Sequence, residues 1–329
     1  MSAAMSLSGK RVLVTGGHGF VGSHLMDVLR KTSGIVLCAP RRSECDLRDR
    51  AAVQQLFSQV RPQVVFHLAA NVGGIGANQE NPGSFMFDNL QMGLTVIDES
   101  RLHNVDSLVL AGTICAYPKH TPVPFREEDL WNGYPEETNA PYGIAKKALG
   151  VLAQAYRQQY GMRSTFLLPV NMYGPRDDFD LRSSHVIPAL IRKCLTADNR
   201  GDEVVTLWGD GSPTREFLYV SDFVNALVLA AEHGDDADPI NVGTGREVTI
   251  AALAQMIAER TGFRGRLEWD RNKPNGQPRR CLDVSRAKER LGFEASVSLE
   301  DGLDRTIDWY RRNQQAMTTT EVNVETEAA

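Results

Sequence analysis

Long hydrophobic runs are missing from this 329-residue chain. No stretch of about 18 or more consecutive apolar residues occurs, so no membrane span is expected. A basic surplus is missing too. The 36 Lys and Arg stand against 41 Asp and Glu, a formal charge of −5, which argues against a general nucleic-acid binder. Cysteine is sparse. Cys38, Cys45, Cys115, Cys194 and Cys281 are odd in number, scattered, and form no C-x-x-C pair. Neither a disulfide framework nor a metal site is expected from them, and a reducing cytoplasm fits. Residues 1–9 lack the basic start and apolar stretch of a secretory signal. What is present is ordinary for a soluble globular protein, 42% hydrophobic and 23% charged, and long enough for one large domain plus a smaller one.

Strand and helix periods alternate along the first half. Residues 10–16 form a short apolar run entering a glycine turn, and 20–31 carry helical periodicity. The same reading predicts strands at 34–39, 63–70 and 107–112, and helices at 51–59 and 85–103. Strands separated by helices of this length call for right-handed crossovers. The fold class is therefore α/β: a doubly wound, Rossmann-type parallel sheet with helices on both faces. Residues 118–141 are rich in Pro, Glu and Asn and lack a period, which reads as an ordered loop feeding a helix from 142 to about 160. A strand follows at 164–169. Beyond it the pattern loosens into helices near 186–196, 221–233, 249–261 and 300–313 and strands at 204–208, 239–242 and 266–269. Residues 10–175 are assigned mainly to the Rossmann domain. Residues 176–313 are assigned mainly to a smaller C-terminal lobe, with some elements returning to the first domain. Residues 1–8 and 317–329 are expected to be disordered.

The turn after the first strand reads Thr15-Gly-Gly-His-Gly-Phe-Val-Gly22. Gly16, Gly19 and Gly22 permit a tight turn, and the helix opening at Phe20 and Val21 presents backbone N–H groups and a positive end to a pyrophosphate. At the end of the second strand, where an NAD enzyme usually places an acid against the ribose, stand Arg41 and Arg42. Guanidinium donors match a 2′-phosphate, so NADP is favoured, with NAD the alternative. Tyr142 and Lys146 lie four residues apart, on one helix face. A phenol with a reference pKa of about 10 is a poor base at neutral pH, and a neighbouring ammonium favours the phenolate. Such a pair can exchange a proton with a carbonyl oxygen while a nicotinamide exchanges hydride with its carbon.

Several strings carry a family resemblance: Ala69-Ala-Asn-Val-Gly-Gly-Ile75, Cys115-Ala-Tyr-Pro-Lys119, Thr138-Asn-Ala-Pro-Tyr-Gly-Ile-Ala-Lys146, Ser184-His-Val-Ile-Pro-Ala-Leu190, Trp208-Gly and Arg215-Glu-Phe. From about residue 10 to 313 the chain resembles the GDP-L-fucose synthase family of the extended short-chain dehydrogenase/reductases. That family epimerises and reduces a GDP-4-keto-6-deoxy sugar. The resemblance implies that Cys115 and His185 move protons on C3 and C5, with the assignment of acid and base left open. It implies that Tyr142 protonates the C4 oxygen, that Thr113 polarises it, and that Lys146 tunes Tyr142 and binds the nicotinamide ribose. Asp46 and Leu47 fall where an adenine contact is common, and Ala69, Ala70, Pro169 and Asn171 fall along the cofactor. On the substrate side the resemblance implies Asn171, His185, Lys193, Trp208, Arg215 and Arg280. Arg215 is placed on the diphosphate and Trp208 as a flat wall, with Lys273, Arg279 and Arg280 as a further basic cluster. Two positions depart from the family: Ile114 where a serine is common, and Asn71 where a lysine is common. Two rivals share many of these residues: a GDP-hexose 3,5-epimerase with tightly held NAD, and a non-catalytic nucleotide-sensing relative. The helices at 85–103 and 142–160 carry more apolar residues than one face needs, so a homodimer through them is expected.

Overall fold

The computed structural model describes residues 5–234, 237–273 and 275–327, the side chains of Ile75 and of 315–327 excepted. The chain opens with β1 (Arg11–Thr15), α1 (Phe20–Leu29), β2 (Val36–Cys38), α2 (Arg50–Val60) and β3 (Val64–His67). It continues through α3 (Ile75–Glu80), α4 (Pro82–Leu102), β4 (Ser107–Ala111), α5 (Ala140–Tyr160), β5 (Ser164–Pro169) and β6 (Asn171–Tyr173). Then come α6 (Val186–Arg200), β7 (Val204–Trp208), β8 (Thr214–Tyr219), α7 (Val220–His233), β9 (Pro239–Val242) and β10 (Glu247–Thr249). The last elements are α8 (Ile250–Thr261), β11 (Arg266–Asp270), α9 (Ser285–Leu291) and α10 (Leu299–Glu327).

Six strands form a parallel sheet in the order β2-β1-β3-β4-β5-β9. Their near-continuous apolar runs suit burial on both faces, and Val12, Leu13, Val14, Val64, Val65 and Phe66 are all fully buried. The sheet's connections reverse direction at β1 and β3, where Thr15 pairs in register with His67. A crevice for a ligand opens outside the carboxyl ends of the strands at such a switch point. Helix ends follow local chemistry. The Asp49 carboxylate accepts the Ala51 and Ala52 N–H groups to start α2, and Pro82 and Pro141 stand in the first turns of α4 and α5.

A second apolar core lies between α6, α8, α10 and two small sheets, with Ile187, Ile191, Leu207, Phe217, Leu253, Ile257 and Leu303 at its centre. The small sheets are β10-β8-β6 and β11-β7. Within 176–313, β9 joins the large sheet, and Phe223 and Leu227 of α7 and Ala287 of α9 pack into the first core. β6 and β10, three residues each, are too short to show a period in the sequence, and β8 opens on the polar Thr214-Arg215-Glu216. Of the terminal segments, 1–4 and 328–329 lie outside the described residues. Residues 5–8 differ from the expected disorder: Leu7 is buried in the first core and Met5 N–H donates to the Glu232 carbonyl at 2.8 Å. The α10 backbone likewise runs on to Glu327.

Candidate active site

The glycine turn forms a cradle. Gly16 has φ +73°, and a Cβ there would lie 2.7 Å from the Ala69 nitrogen. A Cβ on Gly22 would lie 2.0 Å from the Gly16 carbonyl oxygen, so only glycine lets α1 start against the turn. Gly19 is different: its nearest neighbour would be 3.4 Å away, leaving its outer side open. α1 begins after Gly19 with no side-chain cap, so the leading N–H groups at Phe20, Val21 and Gly22 remain available to an anion. An uncapped helix end above an open glycine suits a dinucleotide pyrophosphate. Ala69 and Ala70 follow β3 beside the turn, where Ala69 N–H donates to the Thr15 hydroxyl oxygen at 3.4 Å.

Arg41 and Arg42 are both exposed just past β2. Arg42 is 73% exposed and its Nε lies 3.8 Å from Asp46, so both guanidiniums can turn to a 2′-phosphate. Asp46 itself is engaged. Its carboxylate accepts Arg48 Nη2 at 2.7 Å, and bonds from the Arg48 side chain and backbone hold it down to about 2. An adenine contact there competes with that pair. Leu47 is buried in the core, so only its backbone can face a ligand. Arg48 also reaches Asp88 at 3.3 Å, and Asp88 accepts Asn71 Nδ2 at 3.3 Å. Asn89 clamps the Asn71 backbone with bonds of 3.2 and 2.8 Å. Nothing in local periodicity marks Arg48, Asp88 or Asn89; their pairing joins the loops before α2 and after β3 to α4.

α5 delivers the next group. A Cβ on Gly143 would lie 2.3 Å from the Cys115 carbonyl oxygen, so glycine lets α5 seat directly on the 113–116 turn. That close approach brings Tyr142, Lys146, Thr113 and Cys115 together. Lys146 Nζ lies 6.0 Å from the Tyr142 ring centre. Tyr142 is 8% and Lys146 3% exposed. The direction of the Tyr142 shift reverses the expectation from the Tyr–Lys spacing. Burial pushes the phenol up, Cys115 adds to the rise, and a hydrogen bond with Thr113 opposes it. Burial also pushes the Lys146 ammonium down to about 8. Desolvation is thus the leading influence on both groups. Thr113 Oγ1 accepts the Cys115 N–H at 3.2 Å and its hydroxyl bonds Tyr142. Ile114 is buried and contributes no polar atom. Behind Lys146 lies His67, 1% exposed, bonded through Nδ1 to Thr15 at 2.8 Å and with no partner at Nε2. Burial and the Lys146 charge push that imidazole down to about 3, so it is neutral.

The second lobe supplies the other wall. His185 stands at the start of α6, exposed, with no capping bond. Surrounding protein lowers its pKa below the ordinary imidazole value, and Asp178 opposes the shift. Among the described residues no hydrogen bond links it to Cys115 or Tyr142. The loop before it is braced by the glycines of the 71–74 segment, where Gly74 N–H donates to the Ser183 carbonyl at 2.9 Å. Pro169 ends β5, and Asn171 on β6 donates to the Glu216 carbonyl at 3.2 Å.

Lys193 Nζ donates to the Thr206 carbonyl at 3.0 Å, and Trp208 is 60% exposed with Lys273 Nζ 5.3 Å from its ring. Arg215 is pushed down to about 10, by burial and then by Arg280. It therefore stays charged at neutral pH. The expected basic cluster is divided: Lys273 lies over Trp208, Arg279 pairs with Glu247, and Arg280 turns to Cys115, with Nη1 3.7 Å from Sγ. Glu136, which the sequence reading passed over, faces the same place. It is held by Thr138 and Asn139 at 2.5 and 2.9 Å. Burial alone would raise its pKa, but those bonds and the Arg280 charge bring it below the usual value.

A cavity of about 560 Å³ lined by Arg11, Ser58, Arg61, Gln63, His103 and Asp106 opens elsewhere, away from all of these groups. Among the described residues no cluster of His, Cys, Asp and Glu could hold a metal ion. No helix there is long and apolar enough to cross a membrane.

Comparison with known proteins agrees with this geometry. The model of the NAD dependent epimerase/dehydratase family matches residues 12–243. GDP-L-fucose synthase 1 of Arabidopsis thaliana is 41% identical over 311 residues, covering 94% of this chain and 96% of that protein. GDP-L-fucose synthase of Escherichia coli (strain K12) is 40% identical over 319 residues, covering 94% and 98%. The structure of a GDP-L-fucose synthetase from Naegleria fowleri bound to NADP aligns with a TM-score of 0.87 at 26% identity, over 96% of this chain and 98% of that one.

Proposed function

The chain belongs to the NAD dependent epimerase/dehydratase family and, within it, to the GDP-L-fucose synthases, and we propose that it performs NADP-dependent 3,5-epimerisation and 4-reduction of a GDP-4-keto-6-deoxyhexose. The observation that carries the reading is the meeting of two chemistries around one turn. Tyr142, Lys146 and Thr113 suit a carbonyl oxygen, and the half-buried Cys115 beside them suits a carbon-bound proton.

Bound NADPH supplies the hydride that reaches C4. Tyr142 gives its hydroxyl proton to the C4 oxygen as charge develops there. Its burial keeps the phenol protonated at neutral pH, the state a reduction needs. Thr113, bonded to Tyr142, would turn its hydroxyl proton to the same oxygen when the ketone is in place. Lys146 would bind the nicotinamide ribose hydroxyls and hold positive charge near the phenol once Tyr142 has given its proton. Before reduction, the 4-ketone acidifies C3 and C5 by making their carbanions enolates. Cys115, on the first lobe, and His185, on the second, would each serve one face of the ring, so that removal by one and return by the other inverts the carbon. Arg215 takes the diphosphate with Lys193 as a second cation. Trp208 offers its open face to the base.

Incubation with GDP-4-keto-6-deoxymannose and NADPH, followed by cofactor absorbance and product NMR, tests this reading. An inverted sugar with matching NADPH loss is expected. Inversion without NADPH loss would replace it with the epimerase that holds NAD. The five cysteines are unpaired, which suits a reducing cytoplasm. A homodimer through α4 and α5 is supported by Phe87, Leu94 and Val151, which are 65%, 44% and 44% exposed on outward faces, while Phe85, Ile97 and Leu149 are buried. Light scattering checks it: a mass near the single chain's 36.4 kDa would sink the dimer.

A further inference from the structure

Residues 275–280 run as a strap from the second lobe to the thiol. Asn275 Oδ1 accepts the Asp210 N–H at 2.9 Å, beside Trp208. Gln277, 7% exposed, donates from Nε2 to the Lys119 carbonyl at 2.7 Å. Its Oε1 accepts Arg280 Nε at 2.8 Å, and Arg280 Nη1 then reaches Cys115 Sγ at 3.7 Å. Every step of this chain is a directional contact, and it joins side chains 165 positions apart.

We propose that Arg280 is a positioning residue for epimerisation: braced by Gln277, it holds the Cys115 sulfur in place and balances its charge. This rests on the reading of Cys115 as a carrier of the C3 or C5 proton. In that step the proton passes between carbon and sulfur, the C–H electron pair becomes the enolate, and Arg280 keeps all its protons. Whichever way the proton travels, the sulfur is a thiolate at one end. A guanidinium within hydrogen-bonding reach stabilises that end more than the neutral thiol. Arg215, a half-buried cation beside Arg280, is the group assigned to the diphosphate, which leaves Arg280 to the thiol. Glu136 supplies the counter-charge: pinned by Thr138 and Asn139, it lets two guanidiniums share the pocket. The strap makes the thiol's environment depend on the second lobe, so the epimerisation site is complete only when both lobes are in register.

The test compares wild type, Arg280→Met, Arg280→Lys and Gln277→Leu. The probe is GDP-4-keto-6-deoxymannose in deuterated buffer, read as deuterium incorporation at C3 and C5 across pH, with NADPH binding as the check of folding. Loss of a charge-assisted contact predicts a drop of about ten- to a hundredfold in the exchange kcat of Arg280→Met. Its pH profile should move to higher pH, Arg280→Lys should recover most of the rate, and Gln277→Leu should lose several-fold. A raised KM with unchanged exchange kcat would make Arg280 a plain substrate ligand and overturn the proposal. So would an equal loss in the Met and Lys variants with no shift of the pH profile. If Arg280→Met does not fold, Gln277→Leu decides, and unchanged exchange there overturns it. Absence of exchange in the wild type overturns the epimerase reading itself, a result distinct from exchange that survives in Arg280→Met.

Discussion

On the first-lobe wall Tyr142, Lys146 and His67 are 8%, 3% and 1% exposed, whereas Trp208 on the second lobe is 60% exposed. The dry wall is assembled from the ends of β1, β3 and β4 and the start of α5, all packed on one core. The wet wall comes from the start and middle of α6 and from strands β7 and β8 around the second core. Their chemistry differs accordingly. On the dry wall desolvation dominates, raising the Tyr142 phenol and pushing Lys146 down to about 8. A fixed donor in a low-dielectric wall acts strongly on a developing oxyanion without reorganising. The wet wall must admit a large anionic nucleotide sugar, and its cations already answer to protein groups, Lys193 to the Thr206 carbonyl and Arg280 to Gln277. Arg215 is the intermediate case, buried enough to be pushed down to about 10 yet still charged. The contrast teaches that one wall is prepared before binding and the other is completed by it.

The contrast can be broken most directly at Tyr142. Tyr142→Phe keeps the ring's packing and removes only the proton donor, so NADPH oxidation should fall by about 10²–10⁴-fold while NADPH binding holds. A variant keeping more than about a tenth of wild-type turnover would falsify the donor role.

Cys115→Ser and His185→Asn probe the seam between the walls. Both should cut deuterium incorporation at C3 and C5 by about a hundredfold and reduce hydride transfer less. Unchanged incorporation in both variants removes them from proton movement.

Lys146 sharpens the comparison through stability. Its pKa falls from the ordinary 10.5 to about 8 in the fold, so the unfolded chain binds more protons between those values. The group's contribution to stability therefore rises with pH across that window. Below it, the buried ammonium costs the cofactor-free fold on the order of 3 kcal/mol. Lys146→Met should then resist urea better than wild type at neutral pH, with the advantage shrinking as pH climbs through the window. An advantage that does not vary with pH would show that packing, rather than charge burial, separates the two proteins.

Much of the dry wall was legible in the residue order because its signals are local. The strand–helix alternation requires a doubly wound sheet, Gly16, Gly19 and Gly22 mark the turn, and a spacing of four puts Tyr142 and Lys146 on one face. The pKa directions were not legible there, since the cation argument considers one neighbour while burial sums over all of them. The wet wall was legible only as residue types, through family strings. Lys273, Arg279 and Arg280 read as one basic cluster, yet their charges answer to Trp208, Glu247 and Cys115.

By itself, then, the sequence determined periodicity, the glycine turn and the i, i+4 pair, because these depend on backbone geometry within a few residues. Only the tertiary structure decided that Asp46 answers to Arg48 and Asp88 joins Arg48 to Asn71. It alone turned Arg280 toward the thiol through Gln277, and it alone buried Tyr142 so that desolvation raises its phenol. The reason is physical: desolvation depends on every atom that excludes water, and a charge pairs with whatever the fold brings near, however far away it lies in the chain.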